Sequence, residues 1–362
     1  MARLVRSIAK QLIFSGAVIG GGTVAMAFGT VAGVGLGFWA TRRVRRYDLS
    51  GRTVLITGGS RGLGLALARQ FLRRGAKVAI LGRDAETLER ARQLLAGECA
   101  VFVRPCDVRN AEDVQKAVTD VRETLGDIDV LVNNAGTLTV GPMDTMTAED
   151  FQEALQIYFW APFHTTNAVL PSMRKRKTGR IVNISSIGGK IAVPHLLPYS
   201  TGKFALSGWS EGLRHEVARD NVRVTTVFPG LMRTGSPRNA EFKGQHEAEY
   251  TWFVLSDTMP GLSISVDRAA RQIVTACQYG QSELVISLPA RIAVKAHALF
   301  PGFTSLALSS GAQLLPRSDG ADKSGRKGAE SSSRVGRSFL TRLDERAARK
   351  NNQVAGNPVS VN

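Results

Sequence analysis

The chain has 362 residues, 43% of them hydrophobic, and a formal net charge of +17. That is apolar material for one large core or two medium ones. The charge invites a nucleic-acid reading, but residues 1–50 carry a net +6 and residues 317–362 a net +5, leaving only +6 on the long middle stretch. Basic ends flanking an apolar segment suit an anionic membrane surface better than a nucleic acid. No helix-turn-helix or zinc-finger spacing accompanies them, so no specific nucleic-acid partner and no metal is expected. The three cysteines, Cys99, Cys106 and Cys277, have no paired spacing and read as core residues.

In chain order, residues 1–50 come first. Leu12 to Thr41 contains no charged residue, and a helix of that length exceeds the roughly 20 residues needed to cross a hydrocarbon core. Arg3, Arg6 and Lys10 precede it; Arg42, Arg43, Arg45 and Arg46 follow it. Glycines at Gly16/Gly20, Gly29/Gly33 and Gly33/Gly37 repeat the four-residue spacing that lets membrane helices approach closely. A cleaved signal peptide ending near Ala25-Met26-Ala27 is the rival reading. The apolar run outlasts that point and stops at arginines, which favours an uncleaved single-pass anchor. The four arginines after the span lead us to expect the rest of the chain on the cytoplasmic side of the membrane.

Residues 51–287 alternate short β-rich apolar runs with helix-forming stretches. The expected strands are Thr53–Thr57, Lys77–Leu81, Ala100–Val103, Val130–Asn133, Arg180–Ile184, Arg223–Phe228 and Leu284–Ile286. Continuously apolar strands separated by helices predict a parallel sheet covered on both faces, the doubly wound α/β arrangement of a Rossmann fold. Residues 288–316 are apolar but broken by Pro289, Arg291, Lys295, His297, Pro301 and Gly302. They read as an element lying on a bilayer, a cover over the substrate site, or a packed C-terminal helix. Residues 317–362 are rich in Ser, Gly, Arg and Lys and read as a disordered basic tail, with a short helix around Ser338–Lys350.

Thr57-Gly58-Gly59-Ser60-Arg61-Gly62-Leu63-Gly64 follows the first strand and opens the first helix. Its glycines permit a tight turn and close approach of a pyrophosphate, and the helix N-terminus offers free N–H groups to that anion. The second strand ends at Arg83, where an NAD-preferring site would carry an acid; Asp84 comes one residue later. With Arg61 it gives two cations suited to a 2′-phosphate, so NADP(H) is expected over NAD(H). Asp107, followed by Val108, is placed to accept from the adenine amino group, and Asn133-Asn134-Ala135-Gly136 ends the fourth strand at the same sheet edge.

Tyr199 and Lys203 are i and i+4 on one helix. A lysine cation beside a phenol favours the phenolate, which makes Tyr199 a candidate acid/base. Ser186 ends the fifth strand and can bond the same substrate oxygen. Pro229-Gly230 ends the sixth strand, and Thr234 follows where it can meet the nicotinamide amide.

Taken together, the Thr57–Gly64 loop, Asn133–Gly136, Ser186, Tyr199-x-x-x-Lys203 and Pro229-Gly230 resemble the short-chain dehydrogenase/reductase family over residues 51–287. The resemblance implies that Tyr199 is the catalytic acid/base, that Ser186 positions substrate, and that Lys203 both tunes Tyr199 and binds the nicotinamide ribose. It also implies a homo-oligomer. One position departs from the family: where an asparagine of the proton relay usually stands, this chain has Tyr158. Asn167, nine residues further along, lies some 13 Å away at the usual helical rise and is no replacement. Tyr158 reads as a hydroxyl serving in another geometry or as a packed aromatic.

The stretch Ser236–Leu262, which the resemblance makes a substrate lid, holds Phe242, Tyr250, Trp252 and Phe253. With the membrane anchor they point to a lipophilic carbonyl or alcohol substrate. His195 is a candidate for the entrance. The rival function is a catalytically silent NADP(H)-binding membrane scaffold or redox sensor, motivated by Tyr158.

Overall fold

The computed structural model describes residues 46–96, 101–258, 263–317, 323–331 and 347–354. The expected span 12–41 lies outside the described residues. Among the described residues no helix is long and apolar enough to cross a membrane.

Seven strands form one sheet: β1 (Thr53–Thr57), β2 (Lys77–Gly82), β3 (Val101–Pro105), β4 (Ile128–Asn133), β5 (Gly179–Ile184), β6 (Val222–Pro229) and β7 (Glu283–Ile286). Their spatial order is β7-β6-β5-β4-β1-β2-β3, every pairing parallel. β1 lies between β2 and β4, so the order reverses at its carboxyl end, where open α/β sheets bind ligands.

The strands are apolar throughout because both faces are covered. Val54 and Ile56 of β1 join Val78, Ile80, Val130 and Val132 in one core. Leu55 joins Ala79, Leu81 and Leu131 in the other. This is the period-two alternation of a strand shared between two layers. Helices α1 (Gly62–Leu72) and α8 (Val266–Tyr279) cover the first face through Leu65, Phe71, Ala270 and Ile273. On the second, α3 (Ala111–Leu125) and α5 (Ala161–Arg176) contribute Val114, Val118, Val169 and Met173. α2 (Ala85–Leu95) follows β2, and Asp84 caps it by accepting from the Thr87 N–H at 2.7 Å.

α4 (Ala148–Leu155) runs into α5 through a π-helical turn at Gln156–Trp160. Pro162 supplies the reason. It has no N–H for the Tyr158 carbonyl four residues back, so the hydrogen-bond ladder shifts by one residue, and the Ala161 N–H goes to the Gln156 carbonyl.

Residues 288–316 contain two helices, α9 (Leu288–Leu299) and α10 (Pro301–Ala312). Leu288, Ile292, Leu299, Phe300, Phe303 and Leu306 are exposed on them. The described parts of the tail beyond 317 are docked instead of disordered. Arg326–Lys327 pair antiparallel with Glu241–Phe242, and residues 347–354 pack beside α1. A polar segment cannot bury a core of its own, but these borrow one through backbone and amide hydrogen bonds to the domain.

Candidate active site

The first turn after β1 is held by its neighbours. The Thr57 hydroxyl accepts from the N–H groups of Asn134 and Ala135, at 3.0 and 3.1 Å, and the Asn134 amide donates to the carbonyls of Thr57 and Gly58. Gly58 has φ +62°, and a Cβ there would fall 2.8 Å from Ala135 Cα; only glycine fits. Gly64 is pressed against the Gly58 carbonyl and the Asn134 amide. The loop is thereby drawn onto the end of β4, and the α1 N-terminus faces a cavity of about 850 Å³.

Of the expected cofactor residues, Gly58, Ser60, Arg61, Gly62, Leu63, Arg83, Asp107, Val108, Asn134, Ala135, Gly136, Pro229, Gly230 and Thr234 line this cavity. Thr57 and Gly64 stand behind the wall and shape it. At one end Arg61 and Arg83 come together. The Arg61 guanidinium is held below its ordinary value, first by desolvation and then by the Arg83 cation, with Asp84 opposing. Asp84 is committed elsewhere: its carboxylate caps α2 and is held below the usual range by Thr87. Asp107 has a partner that the sequence did not show. Arg109 grips its carboxylate at 2.7 to 3.1 Å and holds its pKa down, so an adenine amino group would share an acceptor already paired.

At the other end lie Ser186, Tyr199 and Lys203. Ser186 follows β5 and accepts from the Gly188 N–H at 3.0 Å. Its hydroxyl also hydrogen-bonds Tyr199. Helix α6 (Leu197–Glu216) carries Tyr199 and Lys203 on the face turned to the sheet, and Lys203 Nζ donates to the Ile184 carbonyl at 2.8 Å. Burial pushes the Tyr199 phenol up to about 12, against the Ser186 hydrogen bond, which lowers it. Burial pushes the Lys203 amine down to about 7. In place of the expected acidification of Tyr199 by a lysine cation, desolvation disfavours the charged form of both groups.

Tyr158 is buried with its ring face over Lys203 Nζ, 4.0 Å from the ring centroid, and edge-on to Tyr199 at 5.4 Å between centroids. Its hydroxyl accepts from the Thr137 N–H. It is a packed aromatic that clamps the lysine, and its oxygen is engaged away from Lys203.

The Lys203 shift fixes a sign for stability. Below pH 7 the amine is protonated both folded and unfolded, and the fold carries the cost of burying a cation. Between about 7 and 10.5 the folded chain has lost that proton and the unfolded chain has not, so stability rises with pH across this window. Tyr199 works the other way above pH 10. Thermal midpoints of the wild type should climb from pH 7 to pH 9.5, and Lys203→Met should flatten the climb. Parallel curves for the two proteins would contradict the burial argument.

The stretch expected as a lid contains α7 (His246–Thr258). Its four aromatics divide: Trp252 and Phe253 line the cavity, while Phe242 and Tyr250 are buried with Val140, Leu196 and Val254 in a small core. His195, at φ +62°, does not line the entrance. Its Nδ1 lies 2.8 Å from Glu249, a fully buried carboxylate that also accepts from Trp252 Nε1 at 2.6 Å. Sequence reasoning missed this pairing, and it missed Asp257, Asn239 and Gln353 on the cavity wall. No local pattern marks residues joined over such separations.

A Rossmann sheet with a phosphate-accepting glycine turn and a Ser-Tyr-Lys set at one crevice defines a dinucleotide-binding α/β protein. The chain belongs to the short-chain dehydrogenase/reductase family: the short chain dehydrogenase model matches residues 52–243. It is 42% identical over 199 residues to a dehydrogenase/reductase SDR family protein 7-like of Anopheles gambiae, covering 53% of this chain but only 62% of that protein. A Drosophila melanogaster protein of the same name is 33% identical, covering 71% of this chain and 79% of the relative. Among solved structures, L-sorbose reductase from Gluconobacter frateurii, complexed with NADPH and L-sorbose, is similar with a TM-score of 0.59 at 26% identity, covering 66% of this chain and 97% of that one. A gluconate 5-dehydrogenase from Burkholderia cenocepacia, in complex with NADP and tartrate, has a TM-score of 0.60 at 27% identity, covering 69% and 99%.

Proposed function

We propose that this chain is an NADP(H)-dependent oxidoreductase that interconverts a lipophilic carbonyl and its alcohol at a membrane. The observation that carries the reading is the sharing of one cavity by the Ser186-Tyr199-Lys203 set and the glycine turn. NADP(H), when bound, supplies or takes the hydride; Arg61, Arg83 and the α1 N-terminus are the groups that would hold it. Ser186 and Tyr199 present two hydroxyls to one substrate oxygen. A phenol pushed up to about 12 keeps its proton at neutral pH, which suits it to donate to a carbonyl oxygen as that atom gains charge. Lys203 braces the Ile184 carbonyl and, through it, the strand end that carries Ser186.

Lipophilic substrate and membrane are supported by three features. Trp252, Phe253, Leu196 and Val193 make the substrate end of the cavity apolar. α9 and α10 expose large apolar side chains, and between Glu283 and Asp319 the chain has no acidic residue, a composition suited to an anionic bilayer surface. The charge-free 12–41 span is the third. NADPH consumption by the detergent-solubilised protein against carbonyls of increasing chain length should rise with length; better turnover of short polar ketones would remove the lipophilic reading.

The silent-scaffold reading rests on Tyr158. An aromatic ring covers the amine where a relay would open. Cofactor binding with no turnover across that same panel would favour it.

A further inference from the structure

Residues 347–354 of the C-terminal segment lie on the mouth of the cofactor cavity. The Gly62 N–H, at the first position of α1, donates to the Asn351 carbonyl at 2.9 Å. The Asn352 amide donates to the carbonyls of Ser60 and Thr87, at 2.9 and 3.0 Å, and accepts from Arg90 Nε at 3.3 Å. Asn239 donates to Gln353 at 2.7 Å, and Gln353 lines the cavity. Ala348 is fully buried against Gly235, and Lys350 pairs with Asp267 at 2.5 Å. The segment thus bridges the glycine turn, α2, the loop after β6 and α8.

We propose that this segment is a built-in competitor for the phosphate end of the cofactor site, displaced when the dinucleotide binds. The inference rests on the cofactor reading above. A helix N-terminal N–H has one hydrogen to give. While it is bonded to the Asn351 carbonyl it is withheld from a phosphate oxygen, so docking of the tail and phosphate contact at Gly62 exclude each other. The docked state also carries a defect that favours release. Asn351 is fully buried, and both its side-chain amide atoms lack a hydrogen-bond partner among the described residues. A buried amide with no partner opposes docking, and solvent would satisfy it on release. The other contacts named are amide and backbone bonds, one of them from the Arg90 guanidinium, the packing of Ala348 and an ion pair at the surface. The occupant is therefore held by many modest bonds and opposed by one cost, the balance a displaceable plug requires. In chemical terms the plug is a peptide carbonyl standing where a phosphate oxygen is wanted.

The test is an NADPH titration of three full-length or nearly full-length proteins in detergent: wild type, a chain ending at Asp344, and Lys350→Glu, which sets two carboxylates against each other at Asp267 without shortening the chain. Both altered proteins should bind NADPH about three- to ten-fold tighter, since the apparent dissociation constant is the intrinsic one divided by the fraction of open sites. Hydrogen exchange at the Gly62 amide should be slow in the wild type without NADPH and fast in Lys350→Glu. Unchanged or weaker NADPH binding in Lys350→Glu overturns the proposal, because the tail would then be a bystander or a clamp. If no protein of the three binds NADPH while the Gly62 amide is still freed in Lys350→Glu, the cofactor reading has failed and the docking has not.

Discussion

Replacing Tyr199 with phenylalanine should lower NADPH-dependent carbonyl reduction by about two to four orders of magnitude, the usual worth of a positioned proton donor. NADPH affinity should stay within a few-fold of wild type. The substitution deletes one oxygen and leaves the ring that packs edge-on to Tyr158. The deleted oxygen is the one bonded to Ser186, and a buried serine hydroxyl left with one partner fewer costs on the order of 1 kcal/mol of stability. A thermal midpoint measured beside the rate separates that loss from the catalytic one. Residual activity above a tenth of wild type, with the fold intact, would show that the proton comes from somewhere else.

The second large effect is expected at the cation pair. Arg61→Ala with Arg83→Ala should weaken NADPH binding about 100-fold or more and leave NADH binding nearly unchanged. Each charge-assisted bond to a phosphate contributes roughly 1.5 to 3 kcal/mol, and two are removed. The structure gives a reason to expect no rescue from Asp84, the acid next in sequence. It accepts from the Thr87 N–H as the cap of α2, so it does not become a ribose ligand merely because the arginines are gone. Dissociation constants for both dinucleotides, read by fluorescence, decide the matter. An equal loss for NADPH and NADH would mean the pair serves the pyrophosphate or the fold, and the preference would need another source.

The sheet was legible because its signals are local. β1, β2 and β4 are short apolar runs bounded by turn residues, and the glycine turn announces itself by composition within eight positions. Ser186, Tyr199 and Lys203 were legible because one short loop and one helix carry all three. Tyr158 was visible as a departure, but its role was not, since which face of the ring meets Lys203 depends on a π-helical turn that Pro162 imposes. The Asp107–Arg109 pair hid in plain sight, two residues apart, because rotamer choice decides it. The docked tail was illegible for a deeper reason. Its bonds are made by backbone groups and asparagine amides to partners hundreds of positions away, and composition speaks only to what a segment can bury by itself.

The link from His195 through Glu249 to Trp252 bears on any effort to retune this protein for another substrate. His195 stands four residues ahead of Tyr199 in a left-handed backbone conformation, and the indole it helps to fix forms part of the cavity wall. Selectivity and turnover therefore share a mechanical root. A change at position 195 or 249 intended to widen the pocket will shift the proton donor as well, and KM and kcat should move together. Libraries aimed at chain-length preference are better placed at Val193, Leu196 and Phe253, which meet the pocket without holding that strut.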